Sequence, residues 1–262
     1  MSRFQAVIFD VDGVLVDSPH EKAWRESLRD LMEGDWKGIR DQTTWAPEAF
    51  TPLLYDEQIS GKPRMDGARA TLEYFHVPDD ERGSRLTQYA DRKQAMVVRL
   101  IEAGDFTAYP DALRFVLAVK DAGLRLAAAS SSQNAKLLLN KIRMDSFAEE
   151  NDLTAATLRP GLTLLDCFDV DVSGRHFEHG KPHPDMFLAA AHDLEVDPKA
   201  AIVVEDAPAG VEAARAGRMA AIGIARAGEE ALLARAGADV VVTNLDQVQL
   251  VALRHGRLES TR

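Results

Sequence analysis

The chain is poor in cysteine, in basic charge and in long apolar runs. Its one cysteine, Cys167, cannot form an intramolecular disulfide, so nothing in the sequence asks for an oxidising compartment. Lys and Arg total 31 against 42 Asp and Glu, a net charge of −11. Nucleic acid and anionic membrane surfaces need a broad basic footprint, and this balance disfavours both as main partners. A small anionic ligand stays possible where a local Lys, Arg or metal overrides the global field. No apolar stretch approaches the ~20 residues of a membrane-spanning helix. The opening "MSRFQAVIFD" runs straight into a strand-like segment with no signal-like apolar stretch, which predicts a cytoplasmic protein. There is no internal repeat and no low-complexity segment.

What is present is globular. The 262 residues are 46% hydrophobic and 28% charged, enough for one large domain or for a core carrying an insert. Strand-like runs alternate with helical patterns. "FQAVIF" comes first, "LRLAAAS" precedes the helical "NAKLLLNKI", and "DCFDVDV" surrounds Asp169. "AAIVVED" precedes "AGVEAARAG", and "MAAIGIA" and "ADVVVT" follow. Near-continuous apolar strands separated by helices predict an α/β fold with a doubly wound parallel sheet. Ligands of such sheets bind at the carboxyl ends of strands, which places Asp10, Ser130 and Asp206 along one edge.

One region breaks the alternation. Between Ser18 and Thr107 the patterns "EKAWRESLRDLM", "ARATLEYFH" and "SRLTQYADRKQAMVVRLIEAG" are helical, punctuated by Pro47, Pro52, Gly61 and Pro63. This predicts a helical cap over residues 18–107, inserted into a core of residues 1–17 and 108–262. A second irregular stretch, 148–166, reads as an excursion before the Asp169 strand.

Four motifs carry chemistry. "DVDG" ends the first strand in Asp10 and Asp12, one residue apart. Two such carboxylates raise each other's pKa unless a cation lies between them or one of them handles a proton; helix capping is the plainer alternative. "AASSSQN" offers Ser130, Ser131 and Ser132 before a helix expected to begin near Gln133, which suits a phosphate or an ordinary cap. "HGKPHPD" places Lys181 between turn formers, where it can neutralise a phosphate or a carboxylate, or simply face solvent. "VVEDAPAG" ends a strand in Glu205 and Asp206, an oxygen pair suited to a hard cation such as Mg2+ or to capping.

In this order on alternating strands, "DVDGVLVD", "AASSS", "KPHPD" and "VVEDAPAGVEAARAG" resemble the four motifs of the haloacid dehalogenase superfamily. The resemblance covers essentially the whole chain, with a cap in the position of subfamily I. It is closest to the β-phosphoglucomutase-like group, through "SGKPRMDGARATLEYFHV" and "HEKAW" in the cap. Ser60 stands where that group carries Lys, with Lys62 as the substitute. The resemblance implies Asp10 as nucleophile, Asp12 as general acid and base, and Ser130 and Lys181 on the phosphoryl oxygens. It implies Mg2+ on Asp10, the Asp12 carbonyl and Asp206, with Glu205 beside them. It further implies substrate contacts from His20, Lys62, Arg64, Ser131, Ser132 and Asn134. The implied activity is phosphoryl transfer through an aspartyl phosphate on a phosphorylated sugar. A phosphatase acting on a small phosphomonoester is the alternative, and a non-catalytic binding protein on the same fold the second. The expected partner is a small phosphorylated substrate, and the expected state a monomer or weak homo-oligomer.

Overall fold

Four consecutive apolar residues, Ala6–Phe9, form β1, and none of them exposes any surface. The computed structural model describes residues 4–60, 62–78, 80 and 83–261; Gly61, one of the expected turn formers, lies outside the described residues. The chain divides into two compact units, Met1–Asp17 with Thr107–Arg262, and Ser18–Phe106. After β1 comes β2, Val16–Asp17.

The unit from Ser18 to Phe106 is helical. Its elements are α1 (His20–Glu33), α2 (Pro52–Gln58), α3 (Arg64–Tyr74) and α4 (Ser84–Glu102). Apolar residues at helical spacing on α1, Trp24, Leu28, Leu31 and Met32, form one stripe and bury against Tyr89 and Ala90 of α4. All three tryptophans of the chain, Trp24, Trp36 and Trp45, lie in this one core. The Tyr89 hydroxyl is fully enclosed and donates to the Trp24 carbonyl at 3.0 Å.

The chain then enters β3, Thr107–Ala108, which pairs antiparallel with β2. Thr107, expected as the last residue of the helical stretch, is instead a strand residue opposite Asp17. There follow α5 (Pro110–Asp121), β4 (Arg125–Ala128), α6 (Ala135–Lys141), α7 (Met144–Glu150) and β5 (Val170–Asp171). Next are α8 (Asp185–Asp193), β6 (Ala201–Glu205), α9 (Pro208–Ala216) and β7 (Ala220–Ile224). The chain closes with α10 (Glu230–Ala236), β8 (Val240–Val242) and α11 (Leu250–Arg254).

Six of these strands form one parallel sheet in the order β5-β4-β1-β6-β7-β8. Ala6 and Ile8 face a core shared with Phe187, Ala190 and Val211 of α8 and α9. Phe9 points to the other face and meets Phe115 and Phe168 edge-on at 6.0 and 5.9 Å. Both faces are covered, which explains why the strands read as continuous apolar runs. The strand order reverses at β1, and its register sets Phe9 opposite Ala128 and Val204. The residues just beyond, Asp10, Ser130 and Glu205, therefore emerge side by side at one edge.

Two expected elements are shorter than their patterns. "DCFDVDV" yields only two strand residues, because Cys167 closes a 3-10 turn and the Asp169 carboxylate is taken up by Lys120 and the Leu126 amide, at 2.6 and 2.8 Å. The helix expected near Gln133 begins at Ala135; Asn134 holds the N-cap position without a side-chain cap bond, and its amide donates to Ser132 Oγ at 3.2 Å. The excursion folds back on α7, where the Gly161 amide donates to Asp145 at 2.7 Å and the Met144 amide to the Leu162 carbonyl at 2.9 Å. Among the described residues no helix is long and apolar enough to cross a membrane.

Candidate active site

Asp10 follows β1 directly and is 6% exposed. Its amide donates to the Val204 carbonyl at 3.0 Å, and its carbonyl strand neighbour Phe9 accepts from Ala129 at 2.8 Å, so the backbone is fixed on both sides. Lys181 reaches in from the segment before α8 and donates to Asp10 Oδ1 at 2.6 Å. The same ammonium donates to Glu205 Oε1 and lies over the Phe187 ring, 5.2 Å from its centre. Glu205 is fully enclosed, and its other oxygen accepts from the Ala207 amide at 3.0 Å.

Asp12 lies in the turn after β1. Its Oδ2 accepts from the Ser130 hydroxyl at 3.2 Å, and Ser130 Oγ accepts in turn from the Ser132 amide at 3.0 Å. Ser132 Oγ accepts from the Asn134 amide at 3.2 Å. These side chains brace the turn after β4. Gly13 has φ +81°, a left-handed conformation that side chains resist. A Cβ there would sit 1.9 Å from Asp206 Oδ2, so the missing side chain is what admits the Asp206 carboxylate.

Three carboxylates, Asp10, Glu205 and Asp206, thus share one ammonium. Burial pushes the Asp10 carboxyl up to about 7; Lys181 opposes this, and Glu205 and Asp12 reinforce it. Asp206 is held well above the carboxylate range by burial, then by Glu205 and Asp10. Burial works against the charge on Lys181, but Asp10 and Glu205 outweigh it and raise its pKa, so it stays protonated. An all-oxygen donor set with surplus negative charge fits a hard dication. Asp10, Asp206 and the Asp12 carbonyl are the groups suited to hold one. Glu205, expected beside the metal, has one oxygen on Lys181 and the other on the Ala207 amide, which holds its carboxylate against the Lys181 ammonium.

Two contributors escaped the sequence reading. Arg226, just past β7, donates through Nη2 to the Val14 carbonyl at 3.0 Å and through Nε to the Gly13 carbonyl at 3.4 Å. Its Nη1 donates to Asp111 Oδ2 at 2.9 Å, and its guanidinium lies 3.9 Å from the centre of the Tyr109 ring. It braces the turn carrying Asp12 and Gly13. The rule that selected Asp10 and Asp206, a polar residue just beyond an apolar strand, also selects Arg226. The second is Gly210, whose lack of a Cβ makes room for Glu205 Oε1.

Ser131 is exposed in the same turn after β4, and the remaining expected residues belong to the helical unit. His20 opens α1, and its Nδ1 lies 3.4 Å from Lys93 Nζ, which in turn sits over Trp24 at 4.8 Å. Arg64 opens α3 with a distant ion pair to Asp91 at 3.9 Å, and Lys62 is exposed.

Sheets of this topology bind ligands at the switch point, and here that point gathers four carboxylates and one ammonium: the chain is an α/β enzyme. It belongs to the haloacid dehalogenase-like hydrolase family, which residues 4–218 match. A β-phosphoglucomutase of Mycobacterium tuberculosis is 36% identical, over 94% of this chain and 92% of that protein. A phosphorylated carbohydrates phosphatase of Thermotoga maritima is 28% identical over 80% of each. Among solved structures, the β-phosphoglucomutase of a hyperthermophilic Pyrococcus is 28% identical with a TM-score of 0.67, covering 96% of this chain and 99% of that one.

Proposed function

We propose that the chain catalyses Mg2+-dependent phosphoryl transfer on a phosphorylated sugar through an aspartyl phosphate on Asp10, in the manner of a β-phosphoglucomutase. The observation that carries this is the pairing of two differently held carboxylates, Asp10 on Lys181 at 2.6 Å and Asp12 on Ser130 at 3.2 Å. An Asp10 oxygen attacks the phosphorus, and the bond from phosphorus to the leaving oxygen breaks. Asp12 gives a proton to that oxygen and later takes one from the incoming hydroxyl. Lys181 and Ser130 hold the phosphoryl oxygens as charge builds, with the Ser131 amide beside them. When bound, the dication on Asp10, Asp206 and the Asp12 carbonyl supplies charge neutralisation at the phosphoryl oxygens. Ser132 and Asn134 from the sheet unit, and His20, Lys62 and Arg64 from the helical unit, are the proposed contacts to the rest of the substrate. Arg64 offers the bidentate donor that a second phosphate accepts.

A phosphatase using the same half-reaction is the second reading, supported by the Thermotoga relative. The two differ in whether water or a sugar hydroxyl takes the phosphoryl group. The test is incubation with Mg2+, β-glucose 1-phosphate and a trace of glucose 1,6-bisphosphate, following glucose 6-phosphate and free phosphate together. Isomer with little free phosphate supports the mutase. Free phosphate without isomer supports the phosphatase. Neither product across a panel of sugar phosphates contradicts both.

A further inference from the structure

The segment that brings Lys181 to Asp10 carries a second cluster, which the proposed reaction leaves unused. His179 and His183 stand two residues to either side of Lys181, and Asp185 opens α8. His183 Nδ1 lies 2.8 Å from Asp185 Oδ1, and His179 Nδ1 lies 3.4 Å from Asp185 Oδ2. The imidazole rings are 4.5 Å apart between centres and tilted by 36°. One ligand atom from each of the three residues lies within 4.8 Å of the other two.

We propose that His179, His183 and Asp185 form a site for a borderline-soft transition-metal dication of the Zn2+ kind, separate from the carboxylates suited to Mg2+. Two nitrogens and one carboxylate oxygen match the three-ligand, one-water pattern of open zinc sites, and imidazole nitrogen discriminates against Mg2+. Tetrahedral Zn2+ with bonds of about 2.0–2.1 Å spaces its ligands roughly 3.3 Å apart. Small side-chain rotations reach that spacing from the observed one, and the two histidine side chains, 55% and 48% exposed, have room to make them. The exchange balances simply. The hydrogen that each Nδ1 holds toward Asp185 before metal binds moves through solvent to Nε2, the freed Nδ1 lone pair binds the metal, and the contact to Asp185 becomes a shared metal bond.

The backbone is set for this in advance. Pro182 and Pro184 fix φ on both sides of His183, and the His183 amide donates to the Gly180 carbonyl at 2.9 Å. Little chain entropy is left to lose on binding. The ligands bracket Lys181, so a bound metal ties down the segment that holds its ammonium on Asp10 and Glu205.

The experiment is a Co2+ titration of the full chain in excess Mg2+, which fills the carboxylate site. Visible absorption reports nitrogen-ligated Co2+ of low coordination number, and Zn2+ competition gives the relative affinity. One equivalent is expected to bind and to be displaced by Zn2+. Affinity falls at least tenfold in His179→Ala and in His183→Ala, and stays unchanged in His192→Ala, whose side chain is exposed at 88% and lies outside the cluster. Zn2+ raises the thermal midpoint of the wild type and of His192→Ala but not of the two cluster variants. Equal affinity in all four proteins, or no coloured complex in the wild type, overturns the proposal. Circular dichroism of each variant separates loss of a ligand from loss of fold.

Discussion

Replacing Gly210 by alanine sets helix propensity against the active site. In an ordinary helix the change stabilises by about 1 kcal/mol. Here the new Cβ would lie 1.9 Å from Glu205 Oε1 and 2.0 Å from its Cδ, far inside contact distance. Glu205 sits in a fully enclosed place and cannot swing into solvent without breaking its bonds to Lys181 and the Ala207 amide. Overpacking costs about 1–3 kcal/mol. Breaking a buried ion pair costs about 3–5 kcal/mol, taken at the low end because Lys181 keeps Asp10. After the propensity gain, a net loss of about 3–5 kcal/mol is expected, with turnover reduced at least tenfold because Lys181 loses its orienting partner. Urea unfolding is best followed by far-ultraviolet circular dichroism. Tryptophan fluorescence would report only the helical unit, where all three tryptophans lie. A variant as stable as the wild type or more so, with full turnover, would refute the packing argument.

Four further outcomes are expected. Without metal, Asp10 has a folded pKa of about 7 against an ordinary 3.8, so its contribution to stability is full below pH 3.8 and is lost as pH rises through about 7. Asn at position 10 mimics the protonated form, and Asp10→Asn in EDTA should match the wild type near pH 4 and exceed it by about 2–4 kcal/mol at pH 8, the equivalent of three pKa units discounted for coupling to Lys181; urea midpoints that stay parallel across pH refute this. Mg2+ should bind more tightly as pH rises from 6 to 8 and release protons on binding, because Asp10 and Asp206 must ionise to hold it; calorimetry in buffers of different ionisation heat measures the release. Arg226→Ala leaves the buried Asp111 carboxylate without its charge partner, still accepting from the Leu245 amide, and frees the Gly13 and Val14 carbonyls, so a loss of about 3–5 kcal/mol and a fall in kcat are expected from denaturation and steady-state kinetics. Ser130→Ala should lower kcat more than it raises KM, since its hydroxyl touches Asp12 and the proposed phosphoryl position; a pure KM effect contradicts that role.

The strand pattern was legible because both faces of the sheet are covered. Continuous apolar runs ending abruptly in Asp10, Ser130 and Glu205 can belong only to buried parallel strands, and the carboxyl ends follow from topology. The turn chemistry was less so. α6 starts two residues later than expected, because the hydroxyls of Ser130 and Ser132 accept from the Ser132 and Asn134 amides and brace the turn after β4 instead of capping the helix. The limit of the "DCFDVDV" strand was hidden because Asp169 binds a neighbouring strand's amide through its side chain, which no periodicity reveals. Gly13 and Gly210 looked like routine turn and helix residues; their purpose is the space they leave for Asp206 and Glu205. Lys93 was not singled out, since a lysine on an amphipathic helix reads as solvated until its place over Trp24, near His20, is seen.

The central claim is that Asp10 is the residue that becomes phosphorylated. The direct measurement is to quench the enzyme during turnover of labelled sugar phosphate with Mg2+, reduce with borohydride and map the modified residue by mass spectrometry. Conversion of Asp10 to homoserine, absent without substrate and absent in Asp10→Asn, is the predicted result. Turnover by Asp10→Asn, or reduction of a different carboxylate in place of Asp10, would contradict the account.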